Sequence, residues 1–108
     1  MKLIIGHIRD IQPNKKTPHL ELYFDRRDSS SLPHGDKEPV DLFFGQEKWR
    51  GTIRTTTSNP PYFHTSFEGV SGRLRGSDLF PRFGFKAGDD LTFEVLAVGE
   101  LKLHHNAE

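Results

Sequence analysis

The chain has no cysteine among its 108 residues. It can therefore form neither a disulfide nor a thiolate metal site, and nothing in it calls for an oxidising compartment. It also lacks a long apolar run: the one near the amino terminus stops before Arg9 and Asp10, well short of a signal-peptide core or a membrane span. These absences predict a cytoplasmic protein, or a nuclear one if the source is eukaryotic, with no membrane role.

The chain has no net charge, because 15 Lys and Arg residues balance 15 Asp and Glu residues. This balance, taken alone, argues against a nucleic-acid partner. The charges are unevenly distributed, however: residues 48–86 hold seven basic and two acidic residues, whereas residues 87–108 hold one basic and five acidic residues. Two interpretations stay open, a molecule with one basic face and a solvated surface on which the charges are merely scattered.

Helical periodicity is absent as well. No stretch repeats apolar residues at i, i+3, i+4 and i+7, and 10 Gly and 7 Pro residues interrupt the chain. Short apolar runs, some alternating with polar residues, predict a mostly β fold with one or two short helices, in one domain of residues 1–108. Such strands form a barrel or a sandwich. Seven are expected, at residues 2–8, 19–24, 40–44, 48–56, 62–67, 91–97 and 101–104.

Turns, one helix and three exposed segments are expected between these strands. Gly45 favours a tight hairpin turn, and residues 77–83 favour a short helix with Ser77 as its N-cap and Pro81 in its first turn. Residues 85–90 resemble a turn that leads into the next strand. The core is expected to contain Trp49, Phe80, Phe83, Phe85 and Phe93. The polar segments are residues 10–18, residues 55–62 and residues 25–38, the last either mobile or containing a helical turn.

The order of features in the second half of the chain is distinctive. A hairpin with Trp49 on its second strand precedes a polar segment, a strand, the short helix and the sequence FKAGDDLTFE at residues 85–94. This order resembles the B3 family, in which a Leu-Lys-x-Gly-Asp-x-x-x-Phe-Glu segment follows the helix. Phe85 stands here in place of the usual Leu. The resemblance covers residues 40–96, is weak over residues 1–39, and implies a seven-stranded open pseudobarrel.

The B3 resemblance also implies a function. Plant B3 transcription-factor domains and the B3-like effector domains of bacterial restriction endonucleases grip the DNA major groove with two arms, which correspond here to residues 9–17 and 54–62. The implied function is non-catalytic binding of double-stranded DNA without a cofactor, and a separately encoded catalytic subunit or a homodimer stays open as protein partner. The expected DNA-binding residues are Arg9, Asn14, Lys15, Lys16, Arg50, Arg54, Thr56, Thr57, Ser58, Asn59, Tyr62 and His64, with Arg73, Arg75 and Arg82 as further phosphate candidates.

Other functions stay open beside DNA binding. The two arms can be ordinary hydrophilic loops, and the domain can be a protein-interaction or small-ligand β-barrel. Asp90, with Glu100 and Lys102, fits the Mg²⁺-binding pattern of many nucleases, although such enzymes need a larger mixed fold. The six histidines show no zinc-binding spacing, so no metal site is expected.

Overall fold

The computed structural model describes residues 1–56 and 60–104. In these ranges the chain forms eight β-strands, one α-helix and one 3-10 helix. The strands are β1 (Leu3–Asp10), β2 (Leu20–Phe24), β3 (Glu38–Phe44), β4 (Glu47–Arg54), β5 (Tyr62–Gly69), β6 (Gly72–Arg75), β7 (Asp90–Ala97) and β8 (Glu100–Leu103). The 3-10 helix is Arg26–Ser31, and the α-helix, α1, is Gly76–Arg82.

Seven of these strands form a barrel. They follow one another in the order β1, β7, β8, β3, β4, β5 and β2, and β2 returns to β1. The closure between β2 and β5 is short: Tyr23 pairs with Tyr62, and the Phe24 N–H donates to the Pro61 carbonyl at 2.8 Å. The predicted mostly β fold, with seven barrel strands and one or two short helices, is confirmed, but the barrel is closed by this short pairing and not open.

The strand β6 is missing from the sequence prediction. It lies outside the barrel and, within residues 1–56 and 60–104, pairs only with β5, across a turn formed by Val70 and Ser71. Its one large apolar side chain is Leu74, which is only partly buried. The segment is therefore too short and too polar to show the alternation that identifies a strand.

Most strand boundaries lie one or two residues from the predicted ones, and two of these differences change where predicted site residues lie. The strand β1 continues to Asp10, so Arg9 lies on the barrel and not in the loop that follows. The strand β4 ends at Arg54, so Thr55 and Thr56 belong to the loop that follows it.

The helix α1 is present, but its predicted cap is wrong. The N-cap residue is Arg75, which makes no side-chain capping bond, and the Ser77 hydroxyl instead accepts a hydrogen bond from the Leu20 N–H at 3.0 Å. Pro81 lies in the last turn of the helix and not in the first. The helix ends at a glycine capping motif, in which Gly84 has φ 84° and the N–H groups of Gly84 and Phe85 donate to the carbonyls of Pro81 and Phe80, both at 2.9 Å.

The predicted turns are confirmed. Gly45, at φ 63°, occupies the turn between β3 and β4, where a side chain would be strained. Gly88, at φ 93°, occupies the turn before β7, in which the Asp89 carboxylate accepts a hydrogen bond from the Lys86 N–H at 2.9 Å. The 3-10 helix supplies the helical turn expected between residues 25 and 38.

Aromatic rings account for seven of the 18 buried hydrophobic residues in the described part of the core. Of the aromatic residues predicted to be in the core, Phe83 and Phe85 are only partly buried and pack at its margin. Gly51 makes room for the rings, because a Cβ atom there would lie 2.7 Å from the Phe67 ring. The fully buried aromatic residues are Trp49, Phe24, Phe63, Phe67, Phe80 and Phe93.

The helices of the described part of the chain are too short or too polar to cross a lipid bilayer.

Candidate functional site

The two polar loops predicted as arms lie at opposite ends of β2. The first loop, residues 11–19, leads from β1 into Leu20. The second loop lies between β4 and β5; of it residues 55–56 and 60–61 are described, and Pro61 meets the other end of β2 through its hydrogen bond with Phe24. Four residue steps separate Leu20 from Phe24. At the usual rise of a strand, the two attachment points are therefore about 13 Å apart.

The first loop is held at its base by Asp10. Its Oδ1 atom accepts hydrogen bonds from the N–H groups of Gln12, at 2.9 Å, and His19, at 3.1 Å. Beyond this base the loop is exposed. Its tip therefore presents Asn14, Lys15 and Lys16 to solvent.

The second loop is anchored at its start by Asp36. Thr56 donates a hydrogen bond to the Asp36 carboxylate, and Arg54 Nε lies 3.4 Å from its Oδ1 atom. The Thr56 hydrogen bond and the Arg54 charge lower the pKa of Asp36. The Tyr62 hydroxyl and the Asp36 charge in turn raise the pKa of Arg54. The start of this loop is thus fixed, with a guanidinium beside Tyr62.

An outer face of the barrel, which we call the inter-loop face, lies between the two loops. It consists of Arg9, Glu21, Tyr23, Tyr62 and His64, on β1, β2 and β5. Arg9 Cζ lies 5.5 Å from the centre of the Tyr23 ring, and the two tyrosine rings stack at 5.6 Å. His64 continues the row at 5.5 Å from Tyr62. The face therefore combines a guanidinium with three aromatic rings in contact.

Glu21 is buried within this face. Only 8% of the residue is exposed, and it lines a cleft of about 350 Å³ with Tyr23, Tyr62 and Pro60. Burial raises the pKa of Glu21, against the nearby imidazoles of His19 and His64, which lower it. Burial, and then the Glu21 charge, likewise raise the pKa of Tyr23, so its hydroxyl stays protonated at neutral pH.

The structure places nine of the twelve predicted DNA-binding residues, in three groups. Arg9, Arg54, Thr56, Tyr62 and His64 lie on the inter-loop face or at its rim, and Asn14, Lys15 and Lys16 lie in the first loop. Arg50 lies apart from both, with its Nε 2.9 Å from Asp41 Oδ1 and a second bond of 3.3 Å to the same carboxylate. Thr57, Ser58 and Asn59 lie outside the described residues.

The three additional phosphate candidates are also dispersed. Arg73 pairs with Glu68, and Arg82 Cζ lies 5.8 Å from the centre of the Trp49 ring. Arg75 lies nearer the candidate site, because it lines a cleft with Gln12 and Thr17 of the first loop. Only Arg75 of the three therefore adjoins a predicted arm.

The nuclease pattern is not assembled. Asp90 begins β7, whereas Glu100 pairs with Ala97 at the other end of that strand. Seven residue steps separate the two ends, or about 23 Å at the rise of a strand. In residues 1–56 and 60–104, no group of three or more His, Asp or Glu side chains is placed to hold a metal ion.

Glu21, Tyr23, Asp36 and Pro60 are site residues that the sequence analysis does not select. The alternation of apolar residues in residues 19–24 predicts the positions of two of them. Because Leu20 and Leu22 are buried, Glu21 and Tyr23 lie on the outer face of the strand. Nothing local identifies Asp36, because its contacts are with residues 18 or more positions away.

No model of a known protein family, no curated protein and no solved structure matches the chain. The resemblance to B3 domains therefore stays a prediction.

Proposed function

We propose that the protein binds double-stranded DNA, with the first and second loops as arms in the major groove. The observation that carries this proposal is the placement of the two loops at opposite ends of β2, on either side of the inter-loop face. The resemblance to B3 domains, in which two arms of the same positions grip DNA, supports it.

The spacing of the loops suits a duplex. Their attachment points, about 13 Å apart, are separated by a distance close to the width of the B-DNA major groove, about 12 Å. Two loops at this separation can contact both walls of one groove while the face between them meets the bases. Phosphate contacts would then set the position, and contacts to base edges would set the sequence.

The side chains have the chemistry that this interface needs. Lys15 and Lys16 are exposed ammonium groups, and Arg9 and Arg54 place guanidinium groups at the edges of the inter-loop face. Asn14 and Thr56 can donate to base edges or phosphates. The neighbouring carboxylate of Asp10 accepts hydrogen bonds from two backbone N–H groups at the base of the first loop, so it has a structural role there.

The first arm is tested by the double substitution Lys15→Ala/Lys16→Ala. We expect duplex affinity to fall, and the slope of log affinity against log salt to become shallower by about 2, because each phosphate contact contributes about 0.9. Fluorescence anisotropy with a labelled, randomised duplex pool measures both quantities. Neither side chain is part of the core, so the fold should be unaffected.

The matched control for this experiment is Lys102→Ala. Lys102 is an exposed lysine on β8, which lies across the barrel from β2. Its loss should leave the slope unchanged. If the double variant shows the same slope of log affinity against log salt as the parent, the first loop is not part of the interface. The same conclusion follows if the slope of the control changes as much as that of the double variant.

A protein-interaction module is the second candidate function. The outward row of β1 begins with Leu3 and Ile5, both exposed, and Leu96 and Val98 are exposed on and after the neighbouring strand β7. Exposed apolar side chains grouped in this way are typical of association surfaces. Sedimentation of the parent and of Leu3→Glu tests it, since an apolar interface would be lost in the variant.

A further inference from the structure

We infer that the cleft in the inter-loop face binds one unpaired guanine base, with the Glu21 carboxylate as acceptor for the two N–H groups of its Watson–Crick edge. The inference rests on the proposed function only for bringing nucleic acid to this face. It assigns a ligand to the cleft itself, in addition to the contacts that the proposed function needs between the loops and the DNA phosphates.

The inference starts from the burial of Glu21 at the cleft. The residue is more than nine-tenths buried, yet its side chain lines the cleft. Among the described residues, the hydrogen bonds and ion pairs at this face join Arg54, Thr56 and His64 to Asp36 and do not include the Glu21 carboxylate. Its carboxylate oxygens are not among the fully enclosed polar atoms that lack a partner, so they remain open to the cleft and can accept hydrogen bonds from a ligand there.

The shape and walls of the cleft suit a planar ligand. Its volume of about 350 Å³ lies at the lower end of the range for small-molecule sites, about 300–1,000 Å³. Tyr23, Tyr62 and Pro60 supply apolar walls beside the carboxylate. Proteins that bind an unstacked base use this combination, aromatic or apolar walls with polar groups at the Watson–Crick edge.

The donor pattern selects guanine among the four bases. An ionised carboxylate has two oxygens that only accept hydrogen bonds, so it pairs best with two adjacent donors. Guanine presents N1–H and the N2 amino group side by side. Adenine and cytosine present one donor beside a ring-nitrogen acceptor, and thymine presents one N–H between two carbonyls, so each places an acceptor against the carboxylate.

The guanidinium groups at the rim favour a nucleotide over a cationic ligand. Arg9 lies over the Tyr23 ring, and Arg54 is held beside the Tyr62 hydroxyl. A guanidinium or ammonium ligand would match the carboxylate but would be repelled by both arginines. A neutral base with an attached phosphate satisfies the carboxylate within the cleft and the arginines at its rim.

The test compares otherwise identical labelled duplexes that are fully paired or contain one unpaired G, A, C or T. Binding of the parent, Glu21→Gln and Glu100→Gln is measured by anisotropy. We expect the parent to prefer the unpaired G over the unpaired A by about fivefold or more, the discrimination of one good bidentate pair. The preference should disappear in Glu21→Gln, whose amide offers one acceptor, and persist in Glu100→Gln on the far side of the barrel.

A second measurement separates this inference from the proposed function. Guanosine monophosphate, adenosine monophosphate and N-acetyl-arginine amide are titrated against the parent protein, and amide NMR shifts on β2 and β5 are followed. Duplex binding with equal affinity for all four unpaired bases overturns the guanine site and leaves the proposed function standing. Preference for guanosine monophosphate without duplex binding supports the site and overturns the proposed function. Tighter binding of the arginine probe overturns the inference in favour of a protein ligand.

Discussion

At the scale of single residues, Glu21 departs most from what its neighbours in sequence suggest. It occupies an outward position in an alternating strand, where a glutamate is ordinarily solvated, but only 8% of it is exposed, in a cleft that it lines with Tyr23, Tyr62 and Pro60. Arg9, Tyr62 and His64 could be selected from the sequence, because their residue types and the family resemblance both indicate DNA contacts. Glu21 could not be selected in this way, because its burial depends on β5 packing beside β2, 41 positions later along the chain.

The burial of Glu21 makes a prediction about stability. Its pKa is raised in the folded protein, so over the pH range between the unfolded and folded pKa values the folded state binds more protons than the unfolded state. The free energy of unfolding should therefore fall as pH rises above about 4.5, the ordinary glutamate value. Glu21→Gln removes this loss, so the variant should gain stability relative to the parent at pH 7 more than at pH 4.

Urea unfolding at the two pH values measures that difference. The control is Glu94→Gln, on the outward side of β7, where no comparable effect is expected. A Glu21→Gln variant that is less stable than the parent at pH 7 would mean that the carboxylate has a donor partner in the folded protein.

At the scale of elements, local patterns predicted the hairpin at Gly45, the helix α1 and the turn at Gly88, because each depends on a few adjacent residues. The strand β6 and the cap of α1 could not be predicted in the same way. The strand exists because β5 offers a free edge to Gly72–Arg75, and Ser77 turns away from the helix because the Leu20 N–H lies within reach. Both outcomes depend on contacts between distant segments.

Gly51 provides a test of packing within β4. The pairing of β4 with β5 shifts register between Gly51 and Ile53, and a Cβ atom at Gly51 would lie 2.7 Å from the Phe67 ring and 2.8 Å from the Phe63 ring. Gly51→Ala should destabilise the fold by about 1–3 kcal/mol, the usual effect of overpacking a core. Denaturant unfolding measures it, and Gly45→Asn is the control, since asparagine tolerates positive φ and the site is open. A neutral Gly51→Ala would show that the rings can move aside.

At the scale of the whole molecule, strand content could be predicted but strand order could not. The barrel requires β3 to pair in parallel with β8 and β2 to pair with β5. Neither pairing can be recognised from the local sequence of the strands. These same pairings place the two loops at the ends of β2 and bring Tyr62 beside Tyr23. The candidate site is thus a product of topology: its loops and some of its residues could be selected from the sequence, but the pairings that bring them together could not.

The central claim, that the two loops and the inter-loop face bind duplex DNA, is tested most directly by one titration. The parent protein is titrated into a labelled, randomised duplex pool at about 50 and about 200 mM salt, the range over which phosphate-dominated binding changes strongly. The account predicts binding at the lower salt that weakens steeply at the higher one. Absence of binding at both salt concentrations, or binding that does not change between them, would contradict it.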